Sequence, residues 1–499
     1  MKKIMVAVAL LGLSLPATGQ GAEFLTPGAV GMGGAGVARN TDAYATYWNP
    51  AGLAFYQKTF STRMNAGLGV NINSSMADNV DKLGKMNVND LKNLSFSGTS
   101  TDFAKNLSAS AQAVEFVGII NDLDHNKGTL VATPEALLAF QYRDFGLGLV
   151  VTSELGGFPV SDTTSVRPGD PASTTPSAFA TGIGATGTVA QGTLFTSAQR
   201  TQIVNAFVAS GATSTDANNI TNKLEVQLQA SGSNKSGQTA QQLADAMVHL
   251  ANSFTLGAGS IENNTSTIEL RGLALAEIPV SYGHKFDLGA FGKLGLGASV
   301  KVMQGTVFYS SQQIVKLSNS SDVFKKVQDQ KTDSISYGVD LGALWRYEDL
   351  PLMGPVSVGF VAKNLNSPEF DAYQIAGRST PKVKVEPQLR AGIALAPFSW
   401  LNIAADMDVS RNKTILAGVE SQNVGGGVEL YASWIALRAG AFKNIDVASS
   451  KPIVTGGLSV GPQWLRMDID AAVATESARY NNTTYPREAK VELGLSTAF

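Results

Sequence analysis

The chain has 499 residues, 51 glycines and no cysteine, with 44% hydrophobic and only 16% charged residues and a formal net charge of −2. That profile is too apolar for a disordered chain and too poor in charge for an ordinary soluble surface, and it rules out disulfide and thiol chemistry. With no basic field, nucleic acid is not an expected partner.

Lys2 and Lys3 precede an apolar run from Ile4 to Leu15, followed by Pro16 and the small residues Ala17, Thr18 and Gly19. This is the layout of a secretory signal peptide, expected over residues 1–22, with cleavage after Gly19 and after Ala22 both compatible with it. The run is shorter than the roughly 18 apolar residues a spanning helix requires. No cysteine follows it to carry a lipid.

Residues 31–56 read GMGGAGVARNTDAYATYWNPAGLAFY. Gly31, Gly33, Gly34 and Gly36 permit close backbone approach, Asn49-Pro50 starts a turn, and Ala51 and Gly52 continue it. Such a stretch packs by its backbone, as a plug does. GGA followed by Asn-Pro-Ala near the mature N-terminus resembles the long-chain fatty acid transporter superfamily of outer-membrane proteins, and within it the branch labelled TraF-like conjugal transfer proteins. The resemblance implies a hatch over residues 23–55 that closes a barrel lumen, with Gly33, Gly34, Asn49, Pro50, Ala51 and Gly52 as its matching residues. It covers this segment, the strand-rich body and the C-terminus, but not the long insertion described below. A nucleotide-binding glycine loop would need a strand before it and a helix with an acidic ribose ligand after it, and neither pattern is present.

From residue 56 to the end, alternating segments recur between Gly, Asn, Asp and Pro clusters, and the fold class expected is all-β, a transmembrane antiparallel barrel of about fourteen strands. They are expected at 60–72, 135–142, 145–153, 267–283, 293–310, 334–347, 355–365, 382–397, 401–410, 423–431, 434–444, 452–460, 465–475 and 489–499. In LRMDIDAAV, Leu465, Met467, Ile469, Ala471 and Val473 share one face, with Arg466, Asp468 and Asp470 on the other. KVKVEPQLRAGIAL sets Val383, Val385, Leu389, Ile393 and Leu395 against Lys382, Lys384, Glu386, Gln388 and Arg390. Connections alternate between tight and long, as short periplasmic turns and long outer loops do. Trp345, Trp400, Trp434 and Trp464, with Tyr142, Tyr347 and Tyr431, fall at the tight-turn ends and are expected to form a girdle against outer-membrane lipid. The terminal VELGLSTAF ends on Phe499 and resembles the signal read by the barrel assembly machinery, a second expected partner.

Two insertions, at about 73–134 and 154–266, are expected to lie outside the cell. Helical patterns appear in SAQRTQIVNAFVA, DANNITNKLEVQLQ and TAQQLADAMVHLANSF; in the last, Leu243, Met247, Leu250 and Phe254 form an apolar stripe that either packs on neighbouring loops or captures lipid. His125, His249 and His284 lack metal-ligand spacing, and in NDLDHNKG the calcium pattern of Asp122, Asp124 and Asn126 fails at Lys127 and Thr133. No metal, cofactor or enzymatic site is expected. The charges opposite the lipid face are expected in the lumen: Asp340, Glu386, Arg390, Asp406, Asp408, Arg438, Arg466, Asp468, Asp470 and Glu492. They either pair with one another and with the plug through Arg39, Asp42 and Asn49, or offer one cation, such as Arg390, to an amphiphilic ligand's carboxylate. The resemblance implies passive uptake of hydrophobic molecules such as long-chain fatty acids. A docking platform for a secretion or conjugation assembly is the alternative, and an adhesin built on residues 154–266 a third.

Overall fold

The structure is a computed structural model that describes residues 25–73, 103–125, 129–162, 165–167, 174–232, 238–255, 261–314, 330–351, 353–373, 382–415, 420–447, 450–462, 464–480 and 483–499, with isolated residues between 74 and 102. The expected signal peptide, part of the first insertion and residues 126–128 of the calcium-like run lie outside them.

Fourteen antiparallel strands form one closed barrel. They are β1 (Phe60–Asn73), β2 (Thr129–Tyr142), β3 (Phe145–Val160), β4 (Thr267–Asp287), β5 (Lys293–Gln313), β6 (Lys331–Leu350), β7 (Gly354–Lys363), β8 (Gln388–Phe398), β9 (Leu401–Asp408), β10 (Asn423–Ala432), β11 (Ile435–Asn444), β12 (Ile453–Val460), β13 (Leu465–Ala474) and β14 (Glu488–Ala498). β14 pairs with β13 and, from Ser61↔Ala498 to Asn71↔Glu488, with β1, so the sheet has no free edge.

The alternation has a physical cause. On β13, Met467 and Ile469 are 67% and 49% exposed on the outer face, while Asp468 and Asp470 turn into the lumen. Val491 and Leu493 face out on β14, with Glu492 inward. A charge on the outer face would cost about 2–4 kcal/mol at a bilayer midplane, whereas an apolar side chain there is at home. At the tight-turn end, Arg143 and Ser433 adopt left-handed conformations (φ 53° and 55°) to reverse the chain. Tyr142, Trp400, Trp434 and Trp464 stand exposed at that end, and Trp345 donates to the carbonyl of Phe291. Tyr431 is the exception: its neighbour Leu430 faces outward, so Tyr431 faces the lumen and does not join the girdle.

The run expected as one strand over 382–397 is two pieces. Val383–Lys384 pairs with Glu369–Phe370 in a small hairpin, and β8 begins only at Gln388, after Pro387. Proline has no N–H for the ladder, so the alternation slips there. Val383 and Val385 therefore turn inward with Phe370 and Ile415 onto Leu273, Leu275, Met303 and Val307 of β4 and β5, filling part of the lumen from the long-loop side. Glu386 leaves the wall and pairs with Lys413.

At the long-loop end stand the helices α1 aside: α2 (Phe103–His125), α3 (Pro176–Gly182), α4 (Ser197–Ala209), α5 (Ser214–Ser231) and α6 (Ala240–Ser253), where α1 (Ala45–Trp48) lies in the lumen. Thr196 and Thr239 start α4 and α6 with complete capping boxes, closed by Gln199 and Gln242. Leu243, Met247 and Leu250 of α6 are fully buried against α2 and α4, with Phe254 packed beside them, so the stripe is part of the core of a dome. Asp122 of the calcium-like run accepts from Asn79 and Gln242 inside that dome.

Candidate functional site

Residues 25–55 lie inside the barrel as a hatch. Its second half is built by Asn49 and Pro50. Asn49 is extended (φ −161°, ψ 103°) and its Oδ1 accepts from Ala51 N at 3.1 Å, while Pro50 sits in the first turn of the 3-10 segment Pro50–Phe55, where its missing N–H costs nothing. Asn49 Nδ2 donates to Val37 O and to Ala343 O of β6, both at 3.1 Å. One amide thus ties the two hatch halves together and both to the wall. In the first half, Gly33 and Gly34 take φ 63° and 76°, and Gly33 lies so close to Gly426 that a Cβ would stand 2.4 Å from its carbonyl oxygen.

The wall answers with glycines of its own. A Cβ on Gly297 would lie 2.2 Å from Ala51 N, one on Gly342 2.0 Å from Asn49 Oδ1, and one on Gly425 2.1 Å from Gly33 O. The hatch therefore docks backbone to backbone on two glycine patches. The sequence reading missed them as site residues, although the run Gly425-Gly426-Gly427 and the inward parity of Gly297 and Gly342 carry the signal.

Polar contacts hold the hatch against β8 to β14 and β1. Asp406 accepts from Gly36 N and Val37 N at 2.8 and 2.9 Å. Arg390 is 1% exposed; it donates to Asp408 and to Gly34 O, each at 2.8 Å, and lies over the Trp48 ring. Its Nε lies 3.5 Å from Asp406, so two wall carboxylates and a hatch carbonyl surround the guanidinium. Arg39 donates to both oxygens of Glu429 at 2.8 Å. Burial works against its charge, yet Glu429 outweighs burial and holds Arg39 above its ordinary value. Arg438 gathers Glu429, Asp468 and Asp470 at 2.6, 2.8 and 2.9 Å. Asp42 receives Arg63, and Glu492 receives Gly28 N and Asn65. Six of the ten expected lumenal charges thus form two networks, Arg390–Asp406–Asp408 and Arg438–Asp468–Asp470, while Asp340 pairs with Lys301 at 3.2 Å and Glu386 and Glu492 have the other partners named above. Arg466 joins neither network. Glu429 and Arg63 were not singled out from sequence, although Glu429 alternates with Val428 and Leu430.

On the β2–β3 side the hatch meets no charge. Tyr44, Tyr47 and Trp48 pack with Val37 on Leu137 and Ala139 of β2 and Val150 of β3. Burial pushes the Tyr44 and Tyr47 hydroxyls well above their ordinary values, so both rings stay neutral. Tyr47 also carries Lys363 Nζ 3.2 Å from its ring centroid.

Two cavities flank the hatch. One, of about 250 Å³, faces the long loops and is lined by Leu25, Val70, Val131, Phe442 and Ile453, with Glu154 and Lys490 among its polar groups. The other, of about 260 Å³, faces the tight turns and includes Arg39, Arg346, Tyr431, Arg466 and Glu492.

The family model described as "F plasmid transfer operon, TraF, protein" matches residues 46–408. No curated protein matches the chain. Solved structures of similar form include the toluene transporter TbuX of Ralstonia pickettii, at 12% identity over 96% of this chain and 99% of that one, TM-score 0.42. They also include a FadL homologue of Pseudomonas aeruginosa, at 10% identity over 97% and 100%, TM-score 0.42, and the P. putida toluene transporter TodX, at 11% over 97% and 99%, TM-score 0.40.

Proposed function

This chain belongs to the family described as F plasmid transfer operon, TraF, protein, and from its barrel and hatch we propose that it lets small hydrophobic molecules pass the outer membrane without an energy source. The tight-turn end faces the periplasm and the helical dome faces outward, following signal-peptide export and assembly through the terminal strand.

The single observation that carries this reading is the two-sided seating of the hatch. Charged and backbone hydrogen bonds fasten it to β8–β14, whereas on β2 and β3 it meets the apolar side chains of Leu137, Ala139 and Val150 and one neutral hydrogen bond, from Gln141 Nε2 to Leu53 O. An apolar seam can part and admit an apolar molecule without stranding a buried charge, and the fastened side cannot. The wall beside the seam is also weakly laced. β2–β3 pairing skips from Ala132↔Leu155 to Glu135↔Thr152 around Pro134, and β3–β4 pairing skips from Leu147↔Val280 to Val150↔Glu277 around Pro279. Release sideways beside β3 or downward into the periplasm both fit this seam.

The outer cavity of about 250 Å³ suits a compact molecule. A long-chain fatty acid would have to extend along the seam, and Arg390 is not free to take its carboxylate. The test is uptake of a labelled monoaromatic hydrocarbon and of a labelled fatty acid by a deletion strain and its complemented form. Faster uptake with the protein supports the reading, and equal rates for both compounds refute it.

A further inference from the structure

We propose that Arg466 and Arg346 form an anion site on the tight-turn side of the hatch, which takes the carboxylate of a small aromatic or aliphatic acid. The cavity there holds about 260 Å³ and is walled by acids that all have partners. Asp42 has Arg63, Glu429 has Arg39 and Arg438, Asp468 and Asp470 have Arg438, and Glu492 has Gly28 N and Asn65.

The two remaining arginines differ. Arg466 forms no ion pair and donates no side-chain hydrogen bond among the described residues, and its Nε is buried without an acceptor. Its guanidinium lies 5.3 Å from the centroid of the Tyr431 ring. Stacking on an aromatic face satisfies the plane of a guanidinium and leaves its N–H edges to a planar partner, which a carboxylate matches with two parallel bonds. A buried Nε–H with no acceptor is a costly arrangement unless something accepts it. Arg346 lines the same cavity from β6, seven strands away from β13 in a ring of fourteen. Its nearest carboxylate, Glu348, is 3.4 Å from Nε, and that Nε also lacks a hydrogen bond. Two cations with unspent donors therefore face one chamber from opposite walls.

The ligand class rests on the passage reading above: a molecule that has cleared the hatch from the outer cavity reaches this chamber before the periplasm. An acidic headgroup would be held there while its apolar part still lies against the seam.

The experiment is calorimetric titration of the full mature protein in non-ionic detergent with benzoate and with its uncharged counterpart, benzyl alcohol. Benzoate is expected to bind at least about tenfold tighter, the scale of a charged hydrogen-bonded pair. Arg466→Gln should erase that margin without changing benzyl alcohol, Arg466→Lys should keep part of it, Arg346→Gln should reduce it, and Tyr431→Ala should reduce it more than Tyr431→Phe. Heat-modifiable migration on a gel verifies that each variant is folded, and Arg466→Lys stands in should Arg466→Gln fail. Equal binding of the two probes, or benzoate binding that ignores both arginines, overturns the site. Binding that follows Arg466, together with cellular benzoate uptake that ignores the protein, leaves the site standing and removes the passage reading instead.

Discussion

Arg39 Nη2 lies 2.8 Å from both carboxylate oxygens of Glu429, joining the middle of the hatch to β10 across 390 residues of sequence. Glu429 is fully buried and also receives Arg438 at 2.6 Å, so one wall carboxylate serves a plug cation and a wall cation together. Removing the two partners has unequal consequences. Glu429→Gln leaves Arg39 and Arg438 facing each other, and should loosen the hatch by about 3–5 kcal/mol, the cost of an uncompensated buried charge. Arg39→Ala leaves Glu429 with Arg438 and should cost less, about 1–2 kcal/mol, as a truncated charged hydrogen bond does. Single-channel recordings should show more frequent openings in the order Glu429→Gln, Arg39→Ala, wild type. The reverse order would mean that Arg39 is not anchored through Glu429.

The glycine patches make a sharper prediction. Gly297→Ala would set a Cβ 2.2 Å from Ala51 N, and backbone must move to receive it. Gly456 also sits on the barrel wall, yet a Cβ there meets nothing nearer than Arg438 O at 3.8 Å. Gly297→Ala should raise resting conductance, and Gly456→Ala should leave it unchanged. Equal behaviour of the two would show that backbone docking does not hold the hatch.

Asn49→Ala removes one cap and two donated bonds, at roughly 1 kcal/mol for the cap and a comparable amount for each buried partner left unpaired. Asn49→Asp keeps the cap to Ala51 N but loses the donors to Val37 O and Ala343 O. Both variants should free the first half of the hatch from the second, which hydrogen exchange at Val37 and Ala38 would report as faster exchange, with Asn49→Asp no better protected than Asn49→Ala. Unchanged protection in both would mean that the halves are held by packing alone.

The dome should be separable from the barrel in stability. Met247→Ala empties a fully buried position among α2, α4 and α6 and should destabilise the dome by about 2–5 kcal/mol. Proteolysis within residues 197–253 should accelerate while the barrel keeps its heat-modifiable migration. Loss of that migration would show that barrel assembly depends on the dome core.

Much of the barrel was legible because period-two alternation is written in each strand: LRMDIDAAV states both faces of β13 in nine letters. The slip at Pro387 was also written, but the alternation on either side of it looks continuous until the missing N–H is counted. The hatch could be read from Gly33, Gly34 and Asn49-Pro50, whereas its docking surface could not, because a strand glycine such as Gly297 acquires meaning only when Ala51 is brought onto it. Charge pairing was opaque for the same reason. Sequence places Arg390, Arg438 and Arg466 alike on the inner face, yet Arg390 and Arg438 each meet carboxylates from neighbouring strands, and Arg466 meets a tyrosine ring. Nothing local distinguishes them.

The central claim is that residues 25–55 close a lumen that would otherwise conduct. The most direct measurement is the conductance of purified protein in a planar bilayer after deletion of that segment, alongside the intact chain. A folded barrel with a large, steady open conductance, against a closed or flickering intact protein, is the predicted result. A deletion variant that is folded and still closed would contradict it, and would mean that the inward-turned loops around Phe370, Val383 and Ile415 seal the barrel by themselves.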